Sequence, residues 1–152
     1  MDKVRKWKKL FEKHIKFFKQ QIRKYGYIDP ALIMIKGKNL CFITLDSRES
    51  FDMMISNFKP DAYMFFATAW SKDMTPESLK SYKLGDIEKS EDKQEVLACL
   101  LVSADKRIMK VIPIERKGEK VRFGKAITAE GPKIGGRFVK DVKDISKVDY
   151  IV

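Results

Sequence analysis

His14 is the one histidine in the chain, so any Ser-His-Asp or Cys-His pairing of nucleophile and base has to be built on it. It stands within an aromatic stripe of the first 25 residues, at a spacing that faces a protein interior, and reads as a packed core residue. Cys41 and Cys99 are separated by 57 residues and lack a CxxC partner. With His14 they show no short ligand spacing, so no metal site and no cofactor is expected, and both read as buried, reduced thiols. Carboxylates are the remaining candidates for acid–base work or Mg²⁺: Asp46, Glu49 and Asp52 at i, i+3, i+6, and Asp61 and Glu95 beside apolar runs. Helix capping accounts for the first group, and a cross-strand pair with Arg116 accounts for Glu95. Neither GxGxxG nor GxxxxGK[ST] occurs; the stretch from Gly131 to Arg137 has amides and cations that could cradle a phosphate, but a flexible basic tail is the favoured reading. No catalytic or metal-binding residue is assigned.

Cations and aromatic rings offer a different chemistry. The 152 residues carry a net charge of +11, distributed as +8 over residues 1–25, −3 over 26–104, +7 over 105–143 and −1 over the last nine. Basic ends flanking a mildly acidic middle make an electrostatic footprint for a polyanion, because each Lys or Arg that meets a phosphate releases condensed counterions. The residues assigned to nucleic-acid binding are Lys3, Arg5, Lys6, Lys9, Lys13, Arg23, Lys24, Arg122, Lys125 and Arg137. Arg107, Lys110 and Arg116 are further candidate cations, and Trp7, Tyr25, Tyr27, Phe123 and Phe138 are the rings that could stack on bases. RNP, KH, zinc-finger and helix-turn-helix signatures are missing, so binding of this kind would follow the backbone rather than read sequence. It requires the two basic segments to share one outward face.

The elements that would position these residues follow from periodicity. Val4, Trp7, Phe11, His14, Phe18, Ile22 and Tyr25 recur every three or four residues, which predicts a basic amphipathic helix from Asp2 to Tyr25, with Leu10, Ile15 and Phe17 widening its stripe and Gly26 ending it. Ala31–Ile35 and Leu40–Leu45 flank a Gly37-Lys38 turn, placing Met34 opposite Cys41 and Leu32 opposite Ile43. Asp46 or Ser47 caps a short helix carrying Phe51, Met54, Ile55 and Phe58. The run from Ala62 to Trp70 is apolar at odd and even positions, as a strand covered on both faces would be. Gln94–Val102 and Arg107–Arg116 form a second hairpin; with Asp105-Lys106 as its turn, Glu95 faces Arg116 and Cys99 faces Ile112. Pro113 belongs at an edge or bulge. A short helix from Thr75, a strand over Lys120–Ile127 and a weak strand at Tyr150–Val152 complete the reading.

The expectation is therefore a single α+β domain: a long N-terminal helix and one or two short helices on a mostly antiparallel sheet of five to six strands. Residues 1–25 form the basic helix, 26–127 the sheet core and 128–152 an irregular tail. The longest apolar run has nine residues and the first 25 lack an uninterrupted hydrophobic segment and a small-residue cleavage site, so neither a membrane span nor a secretory signal is expected and the cytoplasm is the expected location.

The order Gly26-Tyr27-Ile28-Asp29-Pro30, Asp61-Ala62-Tyr63 leading to Ala69-Trp70, Glu95-Val96-Leu97 and Ile114-Glu115-Arg116 loosely resembles a pattern in small prokaryotic and phage-type proteins of unknown function. That resemblance implies no activity, ligand or catalytic residue. The function expected from the residues is a non-enzymatic basic domain that associates with a polyanion, most plausibly nucleic acid. Alternatives are a homo-oligomeric assembly or protein-interaction module, and a small enzyme with a carboxylate-based site under a lid formed by residues 71–93. Contact of the basic helix with a membrane is the least favoured partner.

Overall fold

The structure, a computed structural model, describes residues 3–71 and 94–131. Its elements in chain order are α1 (Lys3–Tyr25), β1 (Ala31–Lys36), β2 (Asn39–Thr44), α2 (Arg48–Phe58), β3 (Ala62–Ser71), β4 (Gln94–Ser103), β5 (Arg107–Lys117), β6 (Lys120–Phe123) and β7 (Ile127–Glu130). The strands form one antiparallel sheet in the order β2-β1-β3-β4-β5-β6, with β7 also beside β5. This is the expected α+β class with one strand more than the expected five to six. The addition is β7, which keeps the chain regular to Glu130 instead of entering an irregular tail at 128. The segments holding the Thr75 helix, the 71–93 lid (beyond Ser71) and the Tyr150–Val152 strand lie outside the described residues.

Side-chain alternation along the strands sorts the core into two layers. Ile33, Ile35, Met64, Phe66, Leu97 and Ile112 meet Phe11, Ile15, Phe18 and Ile22 of α1 on one face. Leu32, Met34, Tyr63, Phe65, Val96 and Ala98 meet Leu45, Phe51 and Ile55 on the other. Because β3 and β4 are covered on both sides, neither shows the polar alternation of a half-exposed strand. The helix ends are capped as their residues require: Gly26 donates its N–H to Ile22 at 2.8 Å to close α1, and Ser47 accepts from the Ser50 N–H at 3.1 Å to open α2. Ser47, not Asp46, is the capping residue. No helix of the described residues is long and apolar enough to cross a membrane.

The first hairpin has the expected register, with Met34 opposite Cys41 and Leu32 opposite Ile43. The second is displaced by two residues. Val96 pairs with Pro113 and Cys99 with Lys110, so Ala104 and Asp105 form the turn instead of Asp105 and Lys106. Ser103 fixes this choice, since it donates its N–H to the Lys106 carbonyl at 2.8 Å while its hydroxyl accepts from the Lys106 N–H at 3.2 Å. A slip of two keeps every side chain on its intended face, whereas a slip of one would have inverted the strand. Pro113 sits where the partner of β5 changes from β7, which pairs up to Val111, to β6, which begins at Ile114. There its missing N–H leaves no gap in a ladder. The Gly124 N–H donates to the Pro113 carbonyl at 2.9 Å, and a Cβ at Gly124 would lie 3.1 Å from the proline ring, so this crossing needs the close approach of a glycine.

Candidate nucleic-acid interface

Since α1 turns Phe11, Ile15, Phe18 and Ile22 into the sheet, the residues between them face outward. Lys3, Arg5, Lys6, Lys9, Lys13, Arg23 and Lys24 are all exposed on this helix. None of them makes an ion pair with a carboxylate of the described residues. Arg23 and Lys24 lie instead over the rings of Phe123 and Tyr25, at 4.8 and 5.2 Å from the ring centres.

The basic segment near the other end abuts this helix, but several of its charges are committed. Lys110 binds Glu12 of α1, and Lys8 and Lys106 both approach Glu130 at 3.5 Å. Arg116 donates to Glu95 at 2.7 and 3.1 Å and to the Gly26 carbonyl at 2.8 Å. The Glu95–Arg116 pair expected directly across the hairpin is thus made diagonally, because a two-residue shift stays within reach of an arginine. Arg122 is exposed on β6, but its neighbours Val121 and Phe123 pack into the α1-side core, so Arg122 lies on the opposite face of the sheet from α1. Lys125 is exposed in the link to β7. Arg137 and Phe138 lie outside the described residues.

Beside α1 the sheet ends in β2, whose outer edge pairs with no strand of the described residues. The seam between α1 and the β1–β2 hairpin holds two depressions, and Phe18 of the helix stacks on Phe42 of β2 within it. The first depression, about 410 Å³, is bordered by Lys6, Lys9 and Lys13 from the helix and Lys38 from the hairpin, over a floor that includes Trp7, Leu10 and Leu40. The hairpin tip that presents Lys38 is anchored by Asp61, which accepts the Gly37 N–H at 2.8 Å with Gly37 at φ +59, and by Lys36, which donates to the Phe58 carbonyl at 3.2 Å. The second depression, about 290 Å³, is lined by Phe17, Tyr25, Tyr27 and Phe42 together with Gln21 and Asp29. Phe42 stacks on the buried Phe18 ring, 6.1 Å between centres and 20° between planes, so the core holds one face of it in place.

Of the rings singled out from sequence, Trp7, Tyr25 and Tyr27 reach this seam, while Phe123 is half-buried beneath Lys19 and Arg23. Lys38, Phe42 and Phe17 are additions. Phe17 reads as part of the core stripe, yet it precedes Phe18 by one residue, a rotation of about 100°, and so falls on the flank of the helix. The signal for Phe42 was the alternation in β2, which places Leu40 and Phe42 opposite Cys41 and Ile43; that they stay uncovered depends on where β2 sits in the strand order.

Of the carboxylate candidates, Asp46, Asp61 and Glu95 have structural partners. Asp61 holds the hairpin tip and Glu95 holds Arg116. Asp46 borders an open depression of about 610 Å³ with Asp29 and Ser50. The Ser50 hydroxyl donates to Asp46 and holds its carboxyl below the usual carboxylate range. Such a group stays ionised, and its contribution to stability is present above the ordinary carboxylate value and lost as pH falls through the lowered one. A carboxyl held ionised in this way is poorly suited to act as a general acid. His14 is on the other side of the sheet, its Nδ1 hydrogen-bonded to the Leu10 carbonyl at 2.8 Å and its ring beside Phe66. Among the described residues no group of three His, Cys, Asp or Glu is placed to hold a metal ion.

The thiols differ in reach. Cys99 is buried, and burial pushes its thiol well above the ordinary value, whereas Cys41 is half-buried on β2. A thiol-alkylating reagent applied to the folded protein is expected to modify Cys41 and spare Cys99, which reacts only after unfolding. Peptide mass spectrometry with and without denaturant reads this directly, and equal native labelling of both sites would contradict it. Comparison with protein-family models, with curated proteins and with solved structures finds no match to this chain.

Proposed function

We propose that this chain is a non-enzymatic domain that binds nucleic acid along the groove between α1 and β2. The observation that carries the reading is the gathering of Lys6, Lys9, Lys13 and Lys38 around one apolar depression, with exposed rings in continuation. Lysines spaced along a helix suit a phosphate backbone, and their charge adds to the +11 of the chain, which draws polyanions from a distance. Core packing of the apolar stripe argues against the membrane alternative, because α1 would have to leave the sheet to insert. Assembly of copies through β2 is favoured by the open edge of that strand and opposed by lysines at its turn, since charges beside an exposed edge discourage strand pairing.

Fluorescence anisotropy of a labelled oligonucleotide tests the reading. With four phosphate contacts, affinity falls with salt at a logarithmic slope of about −3, roughly fiftyfold between about 50 and about 200 mM. Retention that is negligible at low ionic strength, or unaffected by salt, would overturn it.

A further inference from the structure

We infer that the nucleic acid is single-stranded and that a base, not a phosphate, occupies the ring-lined end of the groove; this deepens the reading above and rests on it. Among the described residues six large apolar side chains are conspicuously exposed, and four of them (Phe17, Tyr25, Tyr27 and Phe42, 43 to 64% exposed) line this one notch. A fifth, Leu40, lines the lysine-bordered depression beside it. Scattered apolar residues need no explanation, but rings collected at one place mark a contact surface.

The chemistry of the notch selects its occupant. Asp29 borders this notch as it does the depression beside Asp46; a carboxylate at the rim repels a phosphate but accepts a hydrogen bond from the exocyclic amino group of a base, and Gln21 can donate or accept. The lysines lie in the other part of the groove. Phosphates and bases are thus offered two different depressions along one side of α1, set between Lys6 and Tyr25, a span of about 28 Å at the rise of a helix and enough for several nucleotides. A duplex cannot use such a channel fully, because its bases are stacked on each other and present edges rather than faces. A second copy of the chain would bring another strongly cationic molecule against the same lysines, and an added peptide strand would use the backbone edge of β2 and leave Tyr25 and Tyr27 without a role.

The test uses three probes of equal length: a single-stranded DNA oligonucleotide, the same backbone with abasic sites, and a duplex. The native chain is expected to bind the base-bearing single strand at least about tenfold more tightly than the abasic strand and more tightly than the duplex. Tyr25→Leu and Tyr27→Leu, made singly at two exposed positions, are each expected to lose about five- to a hundredfold on the base-bearing strand and almost nothing on the abasic one, since each base–ring stack has that worth. Equal binding of abasic and base-bearing strands, or a preference for duplex, would overturn the inference while leaving the backbone-binding reading intact. Failure of all three probes to bind at low salt would remove both. A concentration-dependent dimer that Phe42→Ala abolishes would also overturn the inference, assigning the groove to a second copy.

Discussion

Replacing Lys6, Lys9 and Lys13 together by glutamate lowers affinity for a single-stranded oligonucleotide by on the order of a hundredfold at about 0.1 M salt, with each lost phosphate contact worth about fivefold. The logarithmic salt slope should fall by about 2 at the same time. These side chains are exposed and make no ion pair with a described carboxylate, so their replacement leaves packing intact. Glutamate is a helix former comparable with lysine, so the substitutions keep the helix propensity of α1. The matched control is Lys117→Glu/Lys120→Glu, at exposed positions on either side of the β5–β6 turn. It lowers net charge by 4 where the triple variant lowers it by 6, removes no groove contact, and is expected to cost only a few-fold from the weakened long-range field. Equal losses in the two variants would mean that charge alone, and not its position, governs binding.

Phe66→Ala is expected to destabilise the fold by about 3 to 5 kcal/mol, as emptying a buried aromatic site does. Phe66 is fully buried on β3, with Phe18 at 4.6 Å and Phe11 at 5.8 Å between ring centres and the His14 ring at 6.3 Å. These rings are the principal dock of α1 on the sheet, and Phe18 in turn supports Phe42 in the groove. A domain of this size shifts its melting temperature by roughly 2 to 4 °C per kcal/mol, so thermal unfolding should move down by roughly 6 to 20 °C. Oligonucleotide affinity of the folded fraction should fall as well, because the wall carrying Lys6, Lys9 and Lys13 loses its anchor. An unchanged melting temperature would show that α1 is held by something other than this aromatic contact.

How much of this was legible in the sequence depends on how local the deciding interactions are. The stripe of Phe11, Ile15, Phe18 and Ile22 specifies α1, and Gly26 stops it through a bond to Ile22, all within one helix. The first hairpin was legible because the turn at Gly37 admits a positive φ that few residues adopt. The second offered two neighbouring turns, and the choice rested on a side-chain bond from Ser103 that periodicity does not register. β7 is four residues long and is specified by pairing with β5, a distant partner. The same distinction holds at the site. Exposure of the helix lysines follows from their place on the wheel, but the groove needs the strand order, since only an edge position leaves Leu40 and Phe42 uncovered. Equally, nothing local distinguishes Lys110 and Arg116, which are committed to Glu12 and Glu95, from the cations of α1 that are not.

The most direct measurement is an amide chemical-shift map of the chain titrated with a single-stranded oligonucleotide at low salt. The changes should concentrate in α1 from Lys6 to Tyr25, in Tyr27–Asp29 and in Lys38–Phe42, and leave α2 and the β5–β6 turn unaltered. Shifts centred on Arg122 and the α2 face, or spread evenly over every exposed lysine, would contradict the assignment of the groove.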